Sequence, residues 1–133
     1  MKKNHLFKVN NIFKVLAKVE DNGLYYNYIN PNSGKWCGRD ATLGALADSF
    51  YEYLLKLWVY GNKKDNKLLE TYLKAMKAAR KHLIGKSTNG LTYAGEYANG
   101  RLQAKMGHLA CFTGGILKFF IILSFFFGSR IFR

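Results

Sequence analysis

The sequence predicts an all-α domain that carries short β-hairpins. Three observations lead there. Apolar residues recur at helical spacing over residues 5–20, 42–60 and 65–83, with lysines between them. Extended Tyr- and Thr-containing segments interrupt these stretches around Asn/Pro/Gly turn clusters at 30–34 and 99–100. From Ile116 the chain turns almost wholly apolar. At 133 residues and 49% hydrophobic, it is long enough for one small domain with a modest core, and its composition is not that of a disordered tail.

The elements follow in order. Over 5–20, Leu6, Val9, Phe13, Leu16 and Ala17 form an apolar stripe among Lys8, Lys14 and Lys18, and Asp21-Asn22-Gly23 ends that helix with turn chemistry. Leu24–Ile29 favours an extended segment. Asn30-Pro31-Asn32-Ser33-Gly34 is a turn cluster, and Lys35-Trp36-Cys37 is its return strand, which makes a hairpin. A second helix runs from Thr42, its candidate N-cap, to Gly61-Asn62. A third starts at Asp65 or Asn66 and runs to about Leu83, with Leu68, Leu69, Tyr72, Leu73, Met76, Ala79 and Leu83 as its core stripe and Gly85 closing it. A second hairpin joins Leu91–Ala94 to a partner near Leu102 across the strong turn dipeptide Asn99-Gly100. Met106–Phe112 leads into a last helix. Ile116–Phe127 holds ten Ile, Leu or Phe residues in twelve, interrupted by Lys118 and Ser124. With Leu109–Gly115 this apolar span approaches membrane length, although Lys118 near its centre and the loosening Gly114-Gly115 pair oppose a spanning helix.

Net charge is +13, from 21 basic and 8 acidic residues, which invites a nucleic-acid or anionic-surface reading. The lysines are spread along the chain at helical intervals, and no run of four basic residues occurs, so no nucleic-acid partner is expected. The two cysteines, Cys37 and Cys111, form no CxxC motif and have no His cluster beside them, which argues against zinc. They do not decide the redox compartment. The basic N-terminus is followed by Lys8, Asn10, Asn11, Lys14 and Lys18 rather than an apolar stretch, so no signal peptide is expected. His5 and His82 fall on amphipathic helices as surface residues.

Asp48 and Glu52 stand out. They lie four apart on a helix that is apolar nearly all round, with Leu55 and Val59 on their own side. Such a helix is usually buried, and two buried carboxylates need a cation, a metal or a chemical task. Lys56, four residues after Glu52, offers Glu52 an ordinary helix ion pair.

Five segments in order resemble class I α-1,2-mannosidases, glycoside hydrolase family 47, of the Golgi subtype. They are Gly23-Leu24-Tyr25, Asn30–Trp36, Leu46–Lys56, Gly90-Leu91-Thr92-Tyr93, and Lys105–Phe112 with Gly114-Gly115. The resemblance covers residues 1–115, and the 116–133 tail departs from the family pattern. It implies that the helices and hairpins are part of an (α/α)7 barrel, a toroid. It further implies inverting hydrolysis of terminal α-1,2-linked mannose on high-mannose N-glycans of glycoproteins, with Ca²⁺ at the barrel base. Inverting glycosidases need one carboxylic acid to protonate the leaving oxygen and a separate carboxylate to activate water.

By resemblance Asp48 is the catalytic candidate, handling a proton at the leaving oxygen. Glu52, His108 and Leu46 are the candidate substrate contacts. Leu46 and Gly107 match the subtype that trims several mannoses, and a smaller, less polar pocket suits that breadth. Cys111 matches a disulfide position whose partner this sequence does not contain. The blocks with the other catalytic acids and the Ca²⁺-holding threonine are likewise not in it, so no metal ligand is assigned here. The expected protein is therefore a piece of a secretory-pathway mannosidase of the Golgi or endoplasmic reticulum membrane, lumenal side, inactive alone. Two alternatives stay open: a non-catalytic relative in glycoprotein degradation, and a small basic helical protein held in a membrane by its tail.

Overall fold

The computed structural model describes residues 22–127, with side chains as far as Ile122. The helix expected over 5–20 lies outside the described residues. What is described is mostly helical with short antiparallel strand pairs.

The first hairpin forms as its residues predict. Strands β1 (Tyr28–Ile29) and β2 (Trp36–Cys37) pair antiparallel, Tyr28 opposite Cys37 and Ile29 opposite Trp36. Asn30 builds the turn, because its Oδ1 accepts from the Asn32 and Ser33 amides at 2.9 and 3.0 Å.

The second helix starts later than expected. Helix α1 is Asp48–Tyr60, with Ala47 at its N-cap and no side-chain cap bond. Thr42 does not cap it. The Thr42 Oγ1 accepts from the Gly44 amide at 2.9 Å, a local turn that competes with helix. Ala41 exchanges backbone hydrogen bonds with Tyr97, and Leu46 sits at φ 78°, so residues 41–47 form an irregular loop. Tyr51, Leu54, Leu55 and Trp58 make the buried face, and Gly61 ends the helix with Asn62 and Lys63 at positive φ.

Helix α2 is Asn66–His82, opened by Asp65, whose side chain accepts from the Lys67 amide at 3.0 Å. Arg80, Lys81 and His82 in its last turn oppose the negative end of its dipole. Its buried face is Tyr72, Ala75, Ala78 and Ala79; Leu73, expected in the stripe, is 36% exposed. Small alanines let α2 pack closely against α1, the main helix contact of the fold. Leu83, wholly buried, caps the helix, so Gly85 lies in a strand rather than closing it.

Two hairpins stand where one was expected. Strand β3 (Ile84–Lys86) pairs with β4 (Thr92–Ala94), and β5 (Glu96–Ala98) pairs with β6 (Arg101–Gln103). Asn99 and Gly100, at φ 52° and 78°, make a two-residue turn that pairs the residues flanking it. Leu102 therefore lies opposite Tyr97, not in the 91–94 strand. Gly95 separates β4 from β5: a Cβ there would stand 2.4 Å from the Gln103 carbonyl oxygen, so only glycine fits. Its amide donates to the Leu83 carbonyl at 2.7 Å.

A 3₁₀ turn, His108–Cys111, leads into helix α3, Phe112–Phe127, which runs through Gly114 and Gly115 without a break. Ile116 is buried, and the Phe120 ring packs on Tyr72 with centroids 5.3 Å apart. Sixteen residues give α3 a length of about 24 Å, and no helix of the described residues is long and apolar enough to cross a membrane.

The centre of the core is aromatic. The Tyr25 ring lies 5.7 Å from Trp36, 4.7 Å from Phe50 and 6.3 Å from Tyr51. This cluster ties the segment before β1 to β2 and α1. The hydroxyls of Tyr25, Tyr51 and Tyr72 are buried with no hydrogen-bond partner among the described residues.

Candidate functional site

A cleft of about 320 Å³ opens between four chain segments: Asn27, the 40–46 loop, β5, and Gly107–Leu109. Backbone bonds hold its walls together. The Asn27 amide donates to the Asp40 carbonyl at 2.8 Å, while Ala41 and Tyr97 exchange bonds of 2.9 and 2.8 Å. The 40–46 loop also lies close on the 3₁₀ turn, since a Cβ on Gly44 would stand 3.2 Å from the Ala110 nitrogen. Segments more than sixty residues apart in sequence are thus fixed around one opening.

The polar side chains that line it are Asn27, Asp40, Thr42, Glu96, Tyr97 and His108. Asn27 Oδ1 is buried without a hydrogen-bond partner among the described residues. An orphan acceptor of that kind costs about 1–3 kcal/mol. Glu96 Oε2 accepts from Lys105 Nζ at 3.1 Å, and the Glu96 side chain is 33% exposed.

Leu46 and His108, assigned from the sequence as substrate contacts, both line the cleft. Leu46 is 66% exposed and left-handed in backbone, a conformation that costs a non-glycine residue about 1–2 kcal/mol. His108 is exposed at the first position of the 3₁₀ turn, not a core histidine.

Asp48 and Glu52 are not among the residues lining the cleft. They were expected on a buried helix, but both are only half-buried. The reason is the late helix start: Asp48 sits in the open first turn of α1, where a carboxylate meets the positive end of the dipole. Its Oδ1 accepts from the Ser49 amide at 2.8 Å. Glu52 forms an ion pair with Lys56 one turn on, and their hydrogen bond is the chief reason that the Lys56 ammonium is held above its usual range. Asp48 follows Leu46 by two residues, so the cleft and the α1 N-terminus are contiguous.

Cys37, at the end of β2, and Cys111, at the end of the 3₁₀ turn, are exposed free thiols. Among the described residues no group of three or more His, Cys, Asp or Glu could hold a metal ion.

Sequence reasoning missed Asp40 and Glu96. Only the hairpin register exposes Glu96: pairing β5 with β6 places it opposite Gln103 and within reach of Lys105. Asp40 needs the Asn27 and Tyr97 backbone ties, which no local pattern announces.

Most of this chain is similar to known proteins. Human mannosyl-oligosaccharide 1,2-alpha-mannosidase IB is 52% identical over 110 residues, 82% of this chain and 17% of the human protein. Pig mannosyl-oligosaccharide 1,2-alpha-mannosidase IA is 54% identical over 110 residues, again 82% and 17%. The mouse endoplasmic reticulum mannosyl-oligosaccharide 1,2-alpha-mannosidase is 50% identical over 97 residues, 71% of this chain and 15% of the mouse protein. The chain thus spans about a sixth of the length of the curated relatives it matches. With residues 2–122 matching glycosyl hydrolase family 47 as well, a match that runs past Gly115 into α3, the chain belongs to that family.

Proposed function

We propose that this chain forms part of the glycan-facing wall of an α-1,2-mannosidase that removes terminal α-1,2-linked mannose from high-mannose N-glycans with inversion. The observation that carries this reading is the meeting of Leu46 and His108 in one polar-lined cleft at the N-terminus of α1. The segments that supply it lie within residues 2–122, the stretch that matches glycosyl hydrolase family 47. In this reading Leu46 and His108 touch the sugar. Asp48, at the helix end beside Leu46, handles a proton at the leaving oxygen, directly or through water. Glu52 lies one turn further along α1 and pairs with Lys56.

Inversion needs a second carboxylate set apart from the first to leave room for water. The resemblance puts that group, and the Ca²⁺ ligand, in blocks this sequence does not contain. The ring of helices, the secretory-pathway lumen as location and the pairing of Cys111 belong to the same proposal.

The test is mannose release from a high-mannose N-glycan in Ca²⁺, beside a binding titration with α-1,2-mannobiose. The chain alone is expected to bind the disaccharide and release no mannose. Robust release would overturn the account of the second carboxylate. A chain that folds yet shows no saturable binding would overturn the glycan reading.

A further inference from the structure

One carboxylate in the cleft is placed for a role that neither the fold nor the expected catalytic set requires. Glu96 opens β5, and one of its oxygens is held by Lys105 Nζ at 3.1 Å. The other oxygen faces Gly107. A Cβ on Gly107 would stand 3.9 Å from Glu96 Oε1 and meet nothing else within 4 Å.

Gly107 is not glycine for the sake of the backbone. Its φ of −72° and ψ of 146° suit any residue. Nor is it glycine for lack of space, since 3.9 Å is ordinary contact. With no side chain at Gly107, nothing at that position covers Glu96 Oε1, and both residues line the cleft. The carboxylate is therefore oriented by one cation and open to a ligand on its other oxygen.

An ionised carboxylate is an acceptor only. The ligand it recognises must donate, and sugar hydroxyls do. Hydrogen bonds to an ionised group are roughly twice as strong as neutral ones. A cleft of about 320 Å³ lies at the small end of ligand pockets and suits one or two sugar rings. The exposed Leu46 side chain offers an apolar surface to a ring's C–H face.

We propose that Glu96 is a specificity-determining sugar contact. Its Oε1 accepts hydroxyl hydrogen bonds from a mannose unit in the cleft, Lys105 fixes the carboxylate, and Gly107 keeps it open. This rests on the glycan reading above and adds to it a residue and a gate.

The test titrates the intact chain with α-1,2-mannobiose, followed by ¹H–¹⁵N NMR shifts. Glu96→Gln should weaken binding at least about tenfold, with circular dichroism and thermal midpoint close to the parent's. Gly107→Leu covers Oε1 with an apolar side chain and should weaken binding by a similar factor. The double variant should be no weaker than Gly107→Leu alone, because both changes remove one contact. Lys105→Met keeps the carboxylate but frees it, and should give a smaller loss. Glu96→Gln titrating like the parent would overturn the role of Glu96 and leave the glycan reading standing. Should Glu96→Gln fail to fold, Gly107→Leu binding like the parent would overturn it equally. A parent chain with no saturable binding would overturn both.

Discussion

Leu46 gives the sharpest test of the structure, because two truncations of it should rank in the unusual order. Its backbone is left-handed at φ 78°, and its side chain is 66% exposed. A fully buried leucine contributes about 1.5–3 kcal/mol, so the buried third is worth about 0.5–1 kcal/mol. Both Leu46→Ala and Leu46→Gly lose that amount. Only glycine also escapes the left-handed penalty of about 1–2 kcal/mol. Against this, glycine loses about 0.5–1 kcal/mol more backbone entropy on folding than alanine does. The balance favours Leu46→Gly over Leu46→Ala by up to about 1.5 kcal/mol, with a central value of about 0.7 kcal/mol. At an ordinary exposed helix position such as Tyr53, the order should reverse by a similar amount. Urea unfolding followed at 222 nm, with a thermal scan beside it, reads the difference, about 2–8 °C per kcal/mol for a domain of this size. An alanine variant as stable as the glycine variant would show that the loop does not hold Leu46 in a strained backbone. The strain is of the kind that concentrates at binding sites, so that result would also weaken the assignment of Leu46 to the cleft.

Two further predictions concern the core. Leu83 is wholly buried at the joint between α2 and β3, so Leu83→Ala should cost about 2–5 kcal/mol in urea unfolding. The second is alkaline unfolding. Burial without a hydrogen-bond acceptor pushes the Tyr25 and Tyr72 hydroxyls up to about 12, and burial next to Tyr25 raises Tyr51 further. The folded state therefore holds these protons more tightly than the unfolded chain does. Stability should be complete below about pH 10, where the unfolded tyrosines begin to ionise, and fall as pH rises toward 12. Tyrosinate absorbance at 295 nm should appear for these three in step with loss of the 222 nm signal. Smooth ionisation before unfolding would show that the hydroxyls are solvated.

Where one local cause decides the structure, the sequence is enough. The Asn30–Gly34 turn, the Asp65 cap of α2 and the Gly61 stop of α1 all depend on residues next to the feature they make. The α1 start was not legible for the opposite reason. Periodicity extends the helix back to Thr42, but Ala41 is held by Tyr97, a partner 56 positions away, and Thr42 turns its hydroxyl to Gly44. The hairpin after α2 fails likewise. Leu91–Ala94 is a good strand, but its partner was decided by the two-residue reach of the Asn99-Gly100 turn and by the lack of room at Gly95. The site divides along the same line. Leu46 and His108 were assigned because their segments resemble a known family, and the structure sets both at the cleft. Asp40 and Glu96 enter the cleft only through tertiary ties that join distant segments.

Asp48 can be separated from a structural role by one substitution. Its carboxylate accepts a bond from the Ser49 amide and stands in the first turn of α1, half-exposed, and no ion pair to it is seen among the described residues. Asparagine keeps the Oδ1 acceptor and is itself favoured near helix N-termini. What Asp48→Asn removes is the charge in the field of the helix dipole, worth about 0.3–1 kcal/mol. The variant should thus unfold within about 1 kcal/mol of the parent. Such a small cost would mean that the fold does not need this charge, which leaves a chemical task as the ground for an acid at this position. A loss above about 2 kcal/mol would show a carboxylate held for stability, and the argument for proton handling by Asp48 would then rest on resemblance alone.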